Sequence, residues 1–144
     1  MKRAAVAFLI AVTVMGAGLF AFCAYASEGQ EPSAKVVAYY FHGAARCPTC
    51  YKLEQYSKEA IESGFKDELA SGRLEFKAVN VEDRGNEHFV NDYQLYTKSL
   101  VISLVENGKE AKSKNLAKIW EYVGNRQKFL EYVTGEINAF LKGS

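Results

Sequence analysis

Two cysteines three positions apart, in the segment Cys47-Pro48-Thr49-Cys50, are the residues most suited to chemistry in this sequence. An apolar run, Val36 to Phe41, precedes them, and an amphipathic pattern, Tyr51 to Phe65, follows them. The first pattern predicts a buried strand and the second a helix. A CxxC segment placed between a strand and a helix is the arrangement of a thiol-disulfide redox site.

The predicted start of the helix makes Cys47 the candidate nucleophile. A helix N-terminus carries about half a positive charge, which favours a thiolate over a thiol. Helix N-termini, nearby cations and CxxC motifs lower a cysteine pKa from about 8.5 into the range of roughly 3.5–7.5. Arg46 adds a neighbouring cation. Cys50, one turn further on, lies within bridging reach and would resolve a mixed disulfide.

The residues around the cysteines are candidates for supporting roles. Pro48 suits the first turn of a helix, where its missing N–H costs nothing. Pro48 and Thr49 would set the redox character, since the dipeptide between the cysteines differs between reductants and oxidants. His42 would lower the pKa of Cys47 as a cation, or carry a proton as a neutral group. The alternative for His42 is a polar residue that closes the strand.

Other interpretations of the cysteine pair are weaker. A purely structural disulfide would add little stability, because the benefit of a disulfide grows with the length of the loop that it closes. A zinc site normally needs four ligands, and only His42 and His88 could complete the set. We therefore expect no resident metal or cofactor. Binding of a soft cargo, copper(I) or a thiophilic metalloid such as arsenic(III), remains an alternative.

The N-terminal segment has the features of a secretory signal. Residues 1–3 are Met-Lys-Arg, residues 4–22 carry no charge, and residues 24–26 are Ala-Tyr-Ala. These features predict a signal peptide over residues 1–26 with cleavage after Ala26, and hence a periplasmic or other extracytoplasmic location. An uncleaved membrane anchor is the alternative, since about 20 apolar residues span a bilayer. Cys23 is interpreted as a small apolar residue of this segment.

The remaining chain is predicted to be a short linker, 27–34, followed by one domain, 35–142. About 118 residues is an ordinary size for a single domain. Removal of Lys2 and Arg3 would leave 16 of the 18 basic residues against 17 acidic ones. That balance argues against nucleic acid as a partner, because a nucleic-acid-binding domain needs a basic surface. Exported proteins meet an oxidising compartment, where disulfides persist.

The rest of the pattern predicts an α/β fold. Further elements, in chain order, are a strand 74–81, a short helix 87–93 capped by Asn86, an apolar strand 100–105, a hairpin turn at Asn107-Gly108, a polar edge strand 109–114, a helix 116–123 capped by Asn115, and a last helix with apolar residues from Phe129 to Leu141. Trp120, Tyr93, Tyr96, Tyr122 and Val90 are predicted to pack inward. The order predicts a central mixed β-sheet of about four strands with helices on both faces.

With these elements in order, residues 35–142 resemble the thioredoxin-like superfamily. The segments 41–43, 46–50 and 93–101 are similar to a small group of exported bacterial thioredoxin-like proteins with a CPTC motif. The resemblance implies a thiol-disulfide oxidoreductase that acts on protein thiols and disulfides. A membrane electron-transfer protein would reset it if it works as a reductant. The resemblance also places Ser99 opposite the cysteine pair.

The chain departs from the superfamily pattern at three places. Most relatives carry a cis-proline before the third strand, but the only prolines here are Pro32 and Pro48, so Ser99 or Leu100 stands at that position. A cis non-proline bond costs about 2.5–4 kcal/mol, so we expect a trans bond there. The position of the buried acid found in relatives falls near Phe41, and residues 36–41 contain no acid. Another group or water would have to accept the proton of Cys50. Arg46 replaces the usual tryptophan.

These departures keep two other functions open. One is a binding protein whose thiolate pair carries copper(I) or arsenic(III) to an export or maturation system. The other is an interaction domain without redox activity.

Overall fold

The structure is a computed structural model, and it describes residues 33–143. The predicted signal peptide or anchor, residues 1–26, lies outside the described residues, as does most of the predicted linker. Of that linker only Ser33 and Ala34 are described, and Ala34 already belongs to the first strand. Within residues 33–143 there is no helix with the length and apolar character needed to cross a membrane.

Strands and helices follow one another along residues 33–143 in nearly the predicted order. The strands are β1 Ala34–His42, β2 Leu74–Asn80, β3 Ser99–Glu106 and β4 Lys109–Asn115, and the helices are α1 Pro48–Gly64, α2 Lys66–Ala70, α3 His88–Asp92, α4 Ile119–Tyr122 and α5 Arg126–Leu141.

The four strands form one mixed sheet in the order β2-β1-β3-β4. β1 pairs in parallel with β2, because α1 and α2 carry the chain back to the same end of the sheet before β2 begins. β3 runs antiparallel to both β1 and β4. The register sets Ser99 against Phe41, so the start of β3 lies beside the end of β1, where the chain leaves for the cysteines.

One face of the sheet carries the main hydrophobic core. Alternate residues of β1 point to this face, since successive side chains of a strand face opposite sides. They pack against α1 and α5, which also contact each other. The largest fully buried side chains there are Tyr40, Leu53, Ile61, Leu74, Leu100, Ile102, Leu116, Ile119, Phe129 and Ile137. This packing fixes the start of α1 over the end of β1.

The opposite face is covered by the short helix α3. Phe89 of α3 and Tyr93, which directly follows α3, pack against Tyr39 and Phe41 of β1, with ring centroids 5.0–6.3 Å apart. Helices therefore lie on both faces of the sheet, as the sequence predicted.

The hairpin between β3 and β4 follows the sequence prediction. Asn107 and Gly108 both have positive φ, 50° and 76°, and Glu106 pairs with Lys109 across the turn. Positive φ at both central residues is the requirement of a type I′ turn, which matches the twist of the flanking strands. Every residue of β4 is exposed. This agrees with the predicted polar edge strand, whose lysines oppose pairing with another chain.

Both predicted asparagine caps were wrong. Asn115 is the last residue of β4, and α4 begins only at Ile119 with Lys118 before it. Asn86 donates its side-chain amide to the carbonyl of Asn80 at 2.9 Å instead of capping α3. Asn115 is used as a strand residue, and the Asn86 amide is used in a turn. Local hydrogen bonds of this kind compete with helix capping for the same asparagine side chains.

Three residues predicted to pack inward are exposed. Tyr96 is 93% exposed, and Val90 and Trp120 each reach 36%. The indole N–H of Trp120 donates to the carbonyl of Lys98 at 3.0 Å. A short helix of four residues has too few positions to bury a full apolar stripe, which explains why the helical spacing misled here.

The turn at Gly108 should be sensitive to a side chain. Gly108→Ala is expected to lower the free energy of unfolding by about 1–2 kcal/mol, because an L-residue is strained at positive φ. Gly135→Ala is the matched control. It lies inside α5 with nothing within 4 Å of the added carbon, so it should raise the free energy of unfolding by up to about 1 kcal/mol. Urea denaturation measures both, and a Gly108→Ala variant as stable as the parent would contradict the assignment of the turn.

Candidate active site

Cys47 is the N-cap of α1, and it is solvent exposed. Its backbone is extended, and Pro48 occupies the first helical position, where no N–H donor is needed. The backbone N–H of Cys50 donates to the sulfur of Cys47 at 3.3 Å, so the sulfur takes the place of a capping oxygen. The sequence prediction of a helix beginning at the cysteine pair is confirmed.

The two cysteines form a disulfide, with Cα atoms 5.1 Å apart. Cys50 is only 2% exposed, whereas Cys47 faces solvent. Attack from outside can therefore reach the Cys47 sulfur, and the Cys50 sulfur is shielded by the protein.

Arg46 does not face the cysteines as a free cation. Its guanidinium forms an ion pair with Glu54, seven residues after Cys47 on α1, and its central carbon lies 4.4 Å from the centre of the Tyr51 ring. The Arg46 side chain is 16% exposed. The sequence suggested Arg46 as a cation for Cys47, and the structure adds a counter-charge that offsets that cation.

Tyr40 connects the sheet to the cysteine pair. Its hydroxyl donates to the carbonyl oxygen of Cys50 at 2.6 Å, and its side chain is fully buried in the core. Burial raises the pKa of Tyr40 to about 12, an effect opposed by the charge of Arg46 and supported by that of Glu54. Tyr40 is therefore a neutral donor at any physiological pH.

Tyr40, Tyr51 and Glu54 were not assigned to the site from the sequence. The spacing of Cys47, Cys50 and Glu54 places them on one side of α1, which is the signal that could have found Glu54. Tyr40 follows from the alternation of β1, which directs it toward the helix that starts above it.

Of the other predicted supporting residues, His42 and Ser99 contact their own neighbours in the chain, and Pro48 and Thr49 are the two residues between the cysteines. His42 is half-buried, with its Nδ1 3.0 Å from the carbonyl oxygen of Gly43 and its ring 6.2 Å from that of Tyr40. Ser99 is 5% exposed and donates to the carbonyl of Thr97 at 3.0 Å. Pro48 and Thr49 are exposed on the first turn of α1. Their roles stay predictions.

Two shallow hollows lie on either side of the segment before β3. One, of about 170 Å³, is lined by residues that include His42, Gly43 and Tyr96. The other, of about 200 Å³, includes Ser99 and Trp120. Tyr96 lines both and stands almost fully exposed between them. A surface with an exposed aromatic ring and adjacent hollows suits contact with another polypeptide.

Among residues 33–143, no group of three or more His, Cys, Asp or Glu side chains is arranged to hold a metal ion.

No protein-family model and no curated protein matches the chain. Among solved structures, Trxlp from Edwardsiella tarda matches with 16% identity over 74% of this chain and 87% of its own, with a TM-score of 0.42. Fasciola hepatica thioredoxin matches with 17% identity over 69% and 85%, with a TM-score of 0.39. Schistosoma mansoni thioredoxin matches with 18% identity over 71% and 84%, with a TM-score of 0.38.

The sheet order β2-β1-β3-β4, with the cysteine pair at the start of the helix after β1, decides the fold class. The described residues form an α/β fold with the strand order and the cysteine position expected from the sequence for a thioredoxin-like fold. The fold class predicted from the sequence is confirmed.

The raised pKa of Tyr40 gives a test of its buried position. An acid whose pKa rises on folding keeps its proton in the native state while the unfolded chain loses it. The free energy of unfolding should therefore fall as the pH rises from the ordinary value of 10 toward about 12. Tyr40→Phe should reduce this fall, and Tyr96→Phe, at a ring that is 93% exposed, should not. Urea denaturation between pH 9 and pH 12 measures the free energy of unfolding at each pH. If it fell equally steeply with pH in Tyr40→Phe and in the parent, Tyr40 would not be the group responsible.

Proposed function

We propose that this protein is an exported thiol-disulfide oxidoreductase that exchanges the Cys47–Cys50 dithiol and disulfide with protein partners. The observation that carries the proposal is the asymmetry of the pair at the start of α1. Cys47 is exposed, and its sulfur accepts a hydrogen bond from the N–H of Cys50. Cys50 is buried, and its sulfur is joined to that of Cys47 in the disulfide.

The position of Cys47 favours its reactive form. The unpaired N–H groups of the first helical turn favour a negative charge on the N-cap sulfur. A thiolate at such a position is the attacking species in disulfide exchange. The N–H of Cys50, the third residue of the helix, is the donor that reaches this sulfur, as is usual for an N-cap side chain.

The exchange needs no cofactor, and its electrons balance within the two sulfur pairs. The Cys47 thiolate attacks one sulfur of a partner disulfide, which breaks that bond and releases the other partner sulfur as a thiolate that takes up a proton. Cys50 then loses its proton and attacks the Cys47 sulfur, which frees the partner's first sulfur. Two electrons pass from the Cys47–Cys50 dithiol to the partner, and the reverse sequence oxidises a partner dithiol.

The partner in this proposal is a protein rather than a small thiol. Tyr96 and Trp120 expose aromatic surface beside two hollows, and the start of β3 that they flank lies beside the end of β1. The near-balanced charge of the chain does not favour nucleic acid. If the protein works as a reductant, a membrane electron-transfer protein would reduce it again.

Export and the narrower grouping are parts of the same proposal. The N-terminal pattern of residues 1–26 supports an extracytoplasmic location, with an uncleaved anchor as the alternative. The segments 41–43, 46–50 and 93–101 support a place among exported bacterial thioredoxin-like proteins with a CPTC motif.

Trapping of mixed disulfides tests the reaction. Cys50→Ser removes the resolving thiol, so partners should accumulate on Cys47 as complexes that a reductant releases. Non-reducing electrophoresis of the tagged full chain, expressed in cells that export it, measures them. Cys47→Ser and the double variant Cys47→Ser/Cys50→Ser are the controls, and neither should trap partners. Absence of complexes with Cys50→Ser in an oxidising compartment would refute the proposal.

The direction of the exchange is measured by the midpoint potential of the Cys47–Cys50 pair. A value near about −270 mV would match a thioredoxin-type reductant, and one near about −120 mV a strong oxidant. The carrier alternative is tested on the same reduced protein. Binding of copper(I) or arsenic(III) more tightly than by free dithiols, without trapped partners, would favour the carrier over the oxidoreductase.

A further inference from the structure

The charge pair beside the cysteines has a geometry that bears on their reactivity. Arg46 directly precedes Cys47, yet its guanidinium runs along α1 to Glu54. At 1.5 Å of rise per residue, Glu54 lies about 10 Å along the helix axis from Cys47, and Tyr51 about 6 Å. The guanidinium is therefore held over the first turns of α1, stacked on the Tyr51 ring.

The Arg46 guanidinium has one nitrogen that is hydrogen-bonded and one that has no partner among the described residues. Its Nη2 atom pairs with the Glu54 carboxylate. Its Nε atom is buried and has no hydrogen-bond partner among the described residues. Along the side chain, Nε is nearer to the main chain than Nη2 is, and that main chain continues directly into Cys47. A buried donor without an acceptor is unfavourable, and a thiolate formed when the disulfide is reduced would supply an acceptor.

We propose that Glu54 is a positioning residue that sets the acidity of the Cys47 thiol by holding and offsetting the charge of Arg46. This inference rests on the proposed redox function. With Glu54 ionised, the Arg46 charge near Cys47 is largely compensated, so Arg46 favours the thiolate only weakly. If Glu54 were neutral, the same guanidinium would act on Cys47 uncompensated.

Other titratable groups among the described residues accompany the Arg46–Glu54 pair. Tyr40 and His42 come from β1 and Tyr51 from α1, and Lys58 lies one helical turn beyond Glu54 on α1. Tyr40 stays neutral, and Lys58 pairs with Glu62 at 3.7 Å. α5 packs against α1 farther along, where its Arg126 pairs with Glu59. Each measurement below is repeated with His42→Asn, to separate any contribution of this imidazole from that of the Arg46–Glu54 pair.

The pH dependence of Cys47 alkylation in the reduced full chain tests the proposal. Iodoacetamide labels the thiolate, and peptide mass spectrometry reads Cys47 separately from the other cysteines. Glu54→Gln should lower the pKa of Cys47 by about one pH unit, and Arg46→Gln should raise it by a similar amount. The double variant should lie between them, and Glu54→Asp, which keeps the charge, should stay close to the parent.

The redox equilibrium supplies an independent readout. In glutathione buffers, Glu54→Gln should shift the equilibrium about tenfold toward the reduced form, which corresponds to about 30 mV for a two-electron couple. Glu59→Gln is the matched control, since it removes another α1 carboxylate that pairs with an arginine, Arg126 of α5, twelve residues after Cys47. It should leave both the pKa of Cys47 and the equilibrium unchanged.

Two results would overturn the proposal. One is a Glu54→Gln variant that behaves like Glu59→Gln in both measurements. The other is a shift in the same direction for Glu54→Gln and Arg46→Gln, which would indicate a loss of structure instead of a change of charge. Neither measurement uses a protein partner, so failure here is distinct from failure to trap mixed disulfides.

Discussion

The hydrogen bond from the Cys50 N–H to the Cys47 sulfur is the interaction on which the proposed chemistry depends. It joins the two cysteines at the N-terminus of α1, where the first backbone N–H groups have no carbonyl partner within the helix. Pro48 starts the helix at this residue without adding a competing donor. A shift of one residue in the helix start would move the sulfur away from that donor and from the positive end of the helix dipole.

The sheet holds this helix start in place. β1 is paired on both sides, by β2 and β3, and its alternate residues pack under α1 and α5. The Tyr40 hydroxyl then ties β1 directly to the carbonyl of Cys50. The cysteine pair thus rests on the most constrained strand, whereas the polar edge strand β4 lies two strands away.

The sequence predicted most of the fold because its local patterns agree with one another. The apolar run of β1, the helical spacing after Cys50 and the Asn107-Gly108 turn each indicate one structure, and all were confirmed. The patterns failed where the element was short or the side chain had another polar partner. Asn86 bonds to Asn80, Asn115 completes a strand, and Trp120 bonds to Lys98. The Arg46–Glu54 pair was not predicted, because sequence spacing does not say which of several nearby charges a flexible arginine contacts.

The unequal exposure of the two sulfurs has a kinetic consequence. A partner joins the protein through a collision whose rate depends on its concentration, but it leaves through a second sulfur that is already present within one helical turn. The lifetime of the covalent complex would therefore not depend on the concentration of the partner; it would depend on how freely Cys50 moves, how readily Cys50 gives up its proton and how acidic the leaving partner thiol is. Abundant and scarce partners with equally acidic leaving thiols would be released after the same interval.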